Sequence, residues 1–368
     1  MQILGSTAPL ERSGQASATQ AHATWGQHLL TCLFGVWLML GLFVDGYYHN
    51  QPTKLESFFT PWHAIFYSGY MAVALWMGFL VLSNLRAGYR GFRAIPVGYE
   101  LGVAGVLLFG VGGLMDLIWH TVFGIEQNAN ALFSPVHLWL VASGTLVLSS
   151  PLRAAWRLER SETPGWRAFA PTFVSWLTSF SFITFIEQWL WGLMTPIHAN
   201  GYRATMFNSF EPSLLERTGI LQLFFTGILI SAATLYLLRR FRPPFGAFTL
   251  FLTLNTALMG AIIGLVNRDQ IAVAFIGGLL IDLLTLILKP SSSRPVQFYT
   301  WAFLAPVLLW SVHFVVVFGF VSGTLLPLEK WTGSIFSNGL FGLLIAGLLL
   351  QPVRQDAGSN NSFQAADD

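Results

Sequence analysis

Two stretches of this chain carry the same chemical groups in the same order. The first runs Asp45-Gly46-Tyr47-Tyr48-His49, then Glu56, then Thr60-Pro61-Trp62-His63. The second runs Asp116-Leu117-Ile118-Trp119-His120, then Glu126, then Ser134-Pro135-Val136-His137. An aspartate and a histidine four apart on a helix stand on one face. Both can aim at a common point, or the carboxylate can hold the imidazole in place. Ser/Thr-Pro-x-His reads as a helix start, with the hydroxyl at the N-cap and proline in the first turn. Each stretch thus delivers one histidine from the end of an outgoing helix and one from the start of the returning helix. A loop with a glutamate lies between them.

Imidazole and carboxylate donors without thiolates suit copper, zinc or non-haem iron. Two histidines and one aspartate per stretch make the ligand count of a facial triad with open positions. The expected metal ligands are Asp45, His49 and His63 together with Asp116, His120 and His137, around one ion or two. Glu56, Glu126 and Glu187 are the candidates for catalytic proton transfer. One copy alone is equally explained by a helix cap and a helix-end ion pair. Duplication argues the other way, because capping needs no histidine and ionisable groups at membrane depth are costly and usually functional.

Other polar residues say less. Thr195-Pro196-Ile197-His198, with Glu187 upstream, is a third and fainter copy that lacks the Asp-x3-His element, so it reads as degenerate or capping. His313 reads as a core histidine with its needs met, or as an added ligand. Asp282 reads as an ion-pair partner or a snorkelling carboxylate, and Glu100 as an acid complementing a helix dipole. No GxxxxGK[ST], HExxH or GxSxG pattern is present, which leaves nucleotide hydrolysis and serine chemistry without support.

The elements that must position these groups are membrane spans. Of 368 residues, 54% are hydrophobic and 10% charged, and the mean hydropathy is +0.59. Soluble domains carry about 25% charged residues, so the composition places the chain in a lipid bilayer. The net charge of +2 gives no reason to expect nucleic acid as a partner. Cys32 is the single cysteine, which excludes disulfides and thiolate clusters within the chain. A span needs about 20 apolar residues. Such runs give an all-α bundle of ten spans near 28–47, 61–84, 97–121, 134–153, 168–193, 216–238, 246–266, 270–288, 298–322 and 333–350. Residues 1–27 and 355–368 are polar and read as disordered tails, 28–84 and 97–153 as two helix pairs, and 168–350 as six further spans.

The basic residues orient this bundle. With the N-terminus in the cytoplasm, fourteen of the 19 lysines and arginines fall in cytoplasmic segments, among them Arg86, Arg90, Arg93, Arg153, Arg157, Arg239 and Arg240. Both termini are then cytoplasmic and both motif copies face the extracytoplasmic side. The two helix pairs run in the same sense, as a parallel internal repeat. Aromatics such as Tyr47, Tyr48, Phe58, Trp62, Tyr67 and Trp119 gather round the motif, as an interfacial belt or as the wall of an apolar pocket. Gly105, Gly110, Gly112 and Gly113 permit close helix packing.

The motif residues quoted above, with Phe58-Phe59 and Phe123-Gly124-Ile125, resemble a family of uncharacterised bacterial multi-spanning membrane proteins. That resemblance covers the first four spans, implies the bacterial inner membrane and brings no activity. Locally, Asp45/His49/His63 and Asp116/His120/His137 are similar to the membrane copper site in the C subunit of particulate methane and ammonia monooxygenases. The similarity implies copper at those residues. Here the pattern is duplicated and the second spacing is longer.

Three classes of function fit these residues. One is a membrane metalloenzyme, oxidative or hydrolytic, acting on a small apolar molecule. The second is a metal or ion transporter or delivery factor. The third is an accessory subunit that meets other membrane subunits in a larger complex.

Overall fold

The computed structural model describes residues 19–50, 58–126, 129–158 and 163–350. Glu56 therefore lies outside the described residues. All regular structure among them is helical, apart from isolated bridges at Ala199–Thr324 and Ser291–Arg294. In order, the helices are α1 (Trp25–His49), α2 (Pro61–Arg86), α3 (Glu100–Phe123), α4 (Ala129–Phe133), α5 (Pro135–Leu148), α6 (Ser150–Arg157), α7 (Trp166–Ile186), α8 (Asn200–Met206), α9 (Pro212–Leu238), α10 (Ala247–Ala261), α11 (Arg268–Leu288), α12 (Pro295–Phe320) and α13 (Leu328–Leu349).

Eight of these are long and apolar enough to cross a membrane, and α5 with α6, bent by 42°, gives a ninth. The expected span at 246–266 is the 15-residue α10. At 1.5 Å per residue it is roughly 22 Å long, short of the ~30 Å hydrocarbon core. The bend in the expected span 134–153 has a local cause. Pro151 has no N–H to give to Val147 O, and Ser150 Oγ donates there instead at 2.8 Å. Arg153 fills in beside it, donating from Nη2 to Leu146 O at 2.7 Å and from Nε to Gly98 O at 3.1 Å.

Glycines set the spacing within the two helix pairs. A Cβ on Gly41 of α1 would lie 2.6 Å from Phe66 Cα of α2, and one on Gly105 of α3 would lie 2.8 Å from Ser143 O of α5. Backbones this close bring the end of α1 against the start of α2, and the end of α3 against the start of α5. The most buried span is α7, with 83% of its apolar window covered. It lies along α1, with Phe43 and Phe185 edge to face at 5.3 Å.

Two further expectations meet a different arrangement. The expected span 168–193 ends at Ile186, and the chain continues as a buried irregular segment containing Trp191, Leu193 and His198. Irregular backbone at such depth must be satisfied by protein. Thr226 Oγ1 accepts from Gly192 N, Gln222 Oε1 accepts from Ile197 N, and Asn267 Nδ2 donates to Leu193 O. At the start, Ala21 exchanges two 2.9 Å backbone bonds with Arg93 and Val97, and α1 opens at Trp25 behind a Thr24–Gln27 capping box.

Candidate metal centre

The six expected ligands come together at one end of the bundle, in two adjacent sets. In the first, Asp45 and His49 close α1 and His63 opens α2. In the second, Asp116 and His120 occupy the last two turns of α3 and His137 opens α5. Within each set one ligand atom from every residue lies within 4.8 Å of the others, so each set can hold a metal ion. The sets adjoin through His120, whose ring centroid is 5.8 Å from His63 and 5.3 Å from His137.

The hydrogen bonds fix which nitrogen of each ring is free. His49 Nδ1 faces Glu126 O at 3.0 Å, His63 Nδ1 faces Phe58 O at 2.6 Å and His137 Nδ1 faces Ala131 O at 2.5 Å. His120 Nδ1 faces Gly124 O at 3.3 Å, with Glu126 Oε2 at 3.2 Å. A carbonyl can only accept, so every Nδ1 carries the hydrogen and every Nε2 of a neutral ring presents a lone pair. Those lone pairs converge on carboxylate oxygens. His63 Nε2 is 3.3 Å from Asp45 Oδ1 and His49 Nε2 is 3.6 Å from Asp45 Oδ2. His120 and His137 Nε2 lie 3.3 and 3.0 Å from Asp116 Oδ1. The Nε2 atoms are 3.5 Å apart in the first set and 3.4 Å in the second.

Each set is thus three acceptors facing one another. Asp45 Oδ1 and Asp116 Oδ1 are buried and receive no hydrogen bond from the described residues. A buried acceptor left so costs about 1–3 kcal/mol, and more when charged. An added proton would serve one of the three contacts, whereas a cation at the centre serves all of them. Metal–nitrogen bonds of about 2.0–2.1 Å place tetrahedral ligands about 3.3 Å apart. The observed 3.0–3.6 Å separations fit that edge.

A cavity of about 50 Å³ adjoins both sets, lined by Asp45, His49, Asp116 and His137 on one side and Phe185 and Gln188 on the other. At about 10–15 Å³ per water it has room for about three to five waters. Asn50 Nδ2 donates to Gln188 Oε1 at 3.1 Å, tying the end of α1 to the residues after α7. His120 is fully covered, while the His137 side chain is 19% exposed and offers the way in.

The remaining candidates sort differently. Glu126 belongs to the layer behind the ligands, with one oxygen receiving Trp119 Nε1 and the other beside His120 Nδ1. Glu187 caps the end of α7, where burial raises its carboxyl above the ordinary range, and its neighbour Gln188 lines the cavity instead. Thr60 caps α2 as expected, accepting from His63 N at 3.2 Å, whereas Ser134 makes no such bond. Asp282 forms no ion pair with the described residues. It accepts from Phe248 N, Thr249 N and Thr249 Oγ1 at 3.2, 2.9 and 2.6 Å, capping α10 from a neighbouring helix.

His198 and His313 do not join the cluster. They pair with each other, Nε2 to Nε2 at 3.1 Å. A residue read from the sequence only as part of the aromatic belt or pocket wall also touches the site through its hydroxyl. Tyr67, four after His63 and so on the same face of α2, donates its hydroxyl to Asp116 Oδ2 at 2.6 Å. That spacing was the available signal.

Neither protein-family profiles, nor curated proteins, nor solved structures give a match to this chain.

Proposed function

We propose that this chain is a multi-pass metalloprotein of the bacterial inner membrane, with a two-ion centre on the extracytoplasmic side. In this reading both termini are cytoplasmic, α10 and the bent α5–α6 pair complete ten passes, and the α1–α2 and α3–α5 pairs are parallel repeats. The observation that carries it is the convergence of four imidazole lone pairs on Asp45 Oδ1, Asp45 Oδ2 and Asp116 Oδ1, without a hydrogen bond to either buried Oδ1. Copper is favoured by the local similarity to the monooxygenase site, and the donor set equally admits zinc or iron.

The activity we assign is oxidative or hydrolytic chemistry on a small apolar molecule. A bound ion would supply Lewis acidity or redox capacity at this position. The chain's own contribution is orientation and dryness. Backbone carbonyls aim each ring, and Phe58 stacks on His63 at 5.0 Å. A groove of about 600 Å³ between α2 and α3, lined by Phe58, Phe59, Ala64, Tyr67, Met71 and Leu117, reaches His63. An apolar molecule dissolved in the membrane would approach along it. Metal delivery is the second reading, and the small cavity of about 50 Å³ favours it, since that space suits an ion with a few waters.

Metal analysis of the detergent-purified protein tests the proposal. Two equivalents are expected in the wild type and none in a His63→Ala/His137→Ala variant. Absence of stoichiometric metal from the intact protein would sink it. Bound metal that a soluble chelator removes within seconds would favour delivery over catalysis.

A further inference from the structure

The two ligand sets share their residue types but differ in how the carboxylate is held. Tyr67 occupies Asp116 Oδ2 at 2.6 Å, which leaves Oδ1 alone turned toward His120 and His137 at 3.3 and 3.0 Å. Asp116 is therefore fixed in rotation and offers one defined donor atom. Among the described residues Asp45 has no such partner, and its two oxygens split between the histidines, Oδ1 toward His63 at 3.3 Å and Oδ2 toward His49 at 3.6 Å. Among the described residues no donor fixes the rotation of the first set's carboxylate.

The difference is written into the sequence. The residue four after His63 is Tyr67, and the residue four after His137 is Val141. Val141 lines the same cavity as Asp45 and has no proton to give. A second asymmetry reinforces the first. His120 has the Glu126 carboxylate 3.2 Å behind its Nδ1, and Trp119 holds that carboxylate in turn. His49 and His63 lean on the neutral carbonyls of Glu126 and Phe58. A carboxylate behind a metal-bound imidazole fixes the ring and raises its basicity, and losing such an outer partner typically weakens metal binding 10- to 100-fold.

We infer that the centre is built as two unequal sites: a tight resident site at Asp116/His120/His137, with Tyr67 as its positioning residue, and a weaker, exchangeable site at Asp45/His49/His63. The inference rests on the metal-binding reading proposed above. It assigns the roles within the centre. The resident ion completes the structure, and the second position is where an ion or an ion-bound substrate comes and goes.

Titration of the metal-stripped, full-length protein with Co(II) in detergent, followed by visible absorption, tests it. The wild type loads in two steps separated by at least tenfold in affinity. His137→Ala removes the tight step and His63→Ala the weak one. Tyr67→Phe loses only the hydroxyl. It weakens the tight step 10- to 100-fold and leaves the weak step in place, which also shows that the variant is folded. Two equivalents binding with a single affinity in the wild type would overturn the inference, as would an unchanged tight step in Tyr67→Phe. Either result leaves the two-ion centre standing, whereas no cobalt binding in any of these proteins removes both the inference and the reading beneath it.

Discussion

Two regions of this molecule bring buried imidazoles close together, and among the described residues only one of them has the ligand geometry that could hold a metal. In the cluster the Nδ1 of His49, His63, His120 and His137 each meets a backbone carbonyl, so each Nε2 is left as a lone pair aimed at carboxylate oxygen. In the α8–α12 region His198 Nδ1 meets a hydroxyl, Thr324 Oγ1 at 2.8 Å, which can donate as well as accept. A complete chain of donors follows. With the Gln270 amide anchored on Asp269, the Thr324 hydroxyl gives its one hydrogen to His198 Nδ1 at 2.8 Å, in preference to His198 O at 3.2 Å. His198 Nε2–H goes to His313 Nε2 at 3.1 Å, His313 Nδ1–H to Gln270 Oε1 at 2.8 Å, and Gln270 Nε2–H to Asp269 Oδ2 at 2.7 Å. Tyr202 closes it, donating to Asp269 Oδ1 at 2.6 Å. Each ring nitrogen has a partner in a neutral state. Histidine proximity by itself is therefore a poor sign of a metal, and the partner on the far nitrogen decides.

Removing the second pair is the strongest test of that contrast. A His198→Ala/His313→Ala variant keeps both metal equivalents. It loses roughly 2–5 kcal/mol of stability, because Gln270 loses its donor and two filled core positions become a cavity. Metal analysis beside thermal denaturation separates the two effects. A fall of one equivalent would make the pair a ligand site and erase the distinction.

Acid sharpens the contrast at smaller scale. His198 lies in the buried irregular segment, where desolvation holds its pKa at about 3 against an ordinary 6.5. The unfolded chain then takes up a proton first as the pH falls. This histidine's contribution is intact above about pH 6.5 and erodes continuously down to about pH 3. Between pH 6.5 and 5 the loss is about 2 kcal/mol. Thermal denaturation of wild type and His198→Gln at pH 7.5 and pH 5 reads it as a difference in slope, shallower in the variant. Equal slopes would show that His198 is protonated or solvated in the folded protein.

The ligands of the cluster were legible because their spacing is helical and their order is repeated, so Asp45, His49, His63, Asp116, His120 and His137 could be chosen without coordinates. Tyr67 was legible in principle, one turn after His63. The carbonyls that set the tautomers were not, since every residue has one and only the folded path of residues 58, 124, 126 and 131 brings them behind the rings. Hydropathy also reads the segment after α7 as a continued span, because it is as apolar as a helix. What satisfies its non-helical backbone is side chains on α9 and ahead of α11, namely Gln222, Thr226 and Asn267. The Ser149-Ser150-Pro151 break was available to a closer reading of the second returning span.

The smallest expected effect probes the metal region through its helix starts. Thr60 and Ser134 hold equivalent places in the two copies, yet Thr60 Oγ1 accepts from His63 N at 3.2 Å and Ser134 Oγ is buried without a partner among the described residues. Losing a working cap costs about 1 kcal/mol, and losing a hydroxyl that makes no bond costs nothing of that kind. Thr60→Ala therefore frays the turn that aims His63 and weakens the Asp45 set several-fold, which appears in the weaker step of a cobalt titration. Ser134→Ala leaves the Asp116 set unchanged or slightly tighter, because a buried hydroxyl without a bond has been removed. Equal losses in both variants would mean that the hydroxyls act alike, and that the two copies are held by the same devices after all.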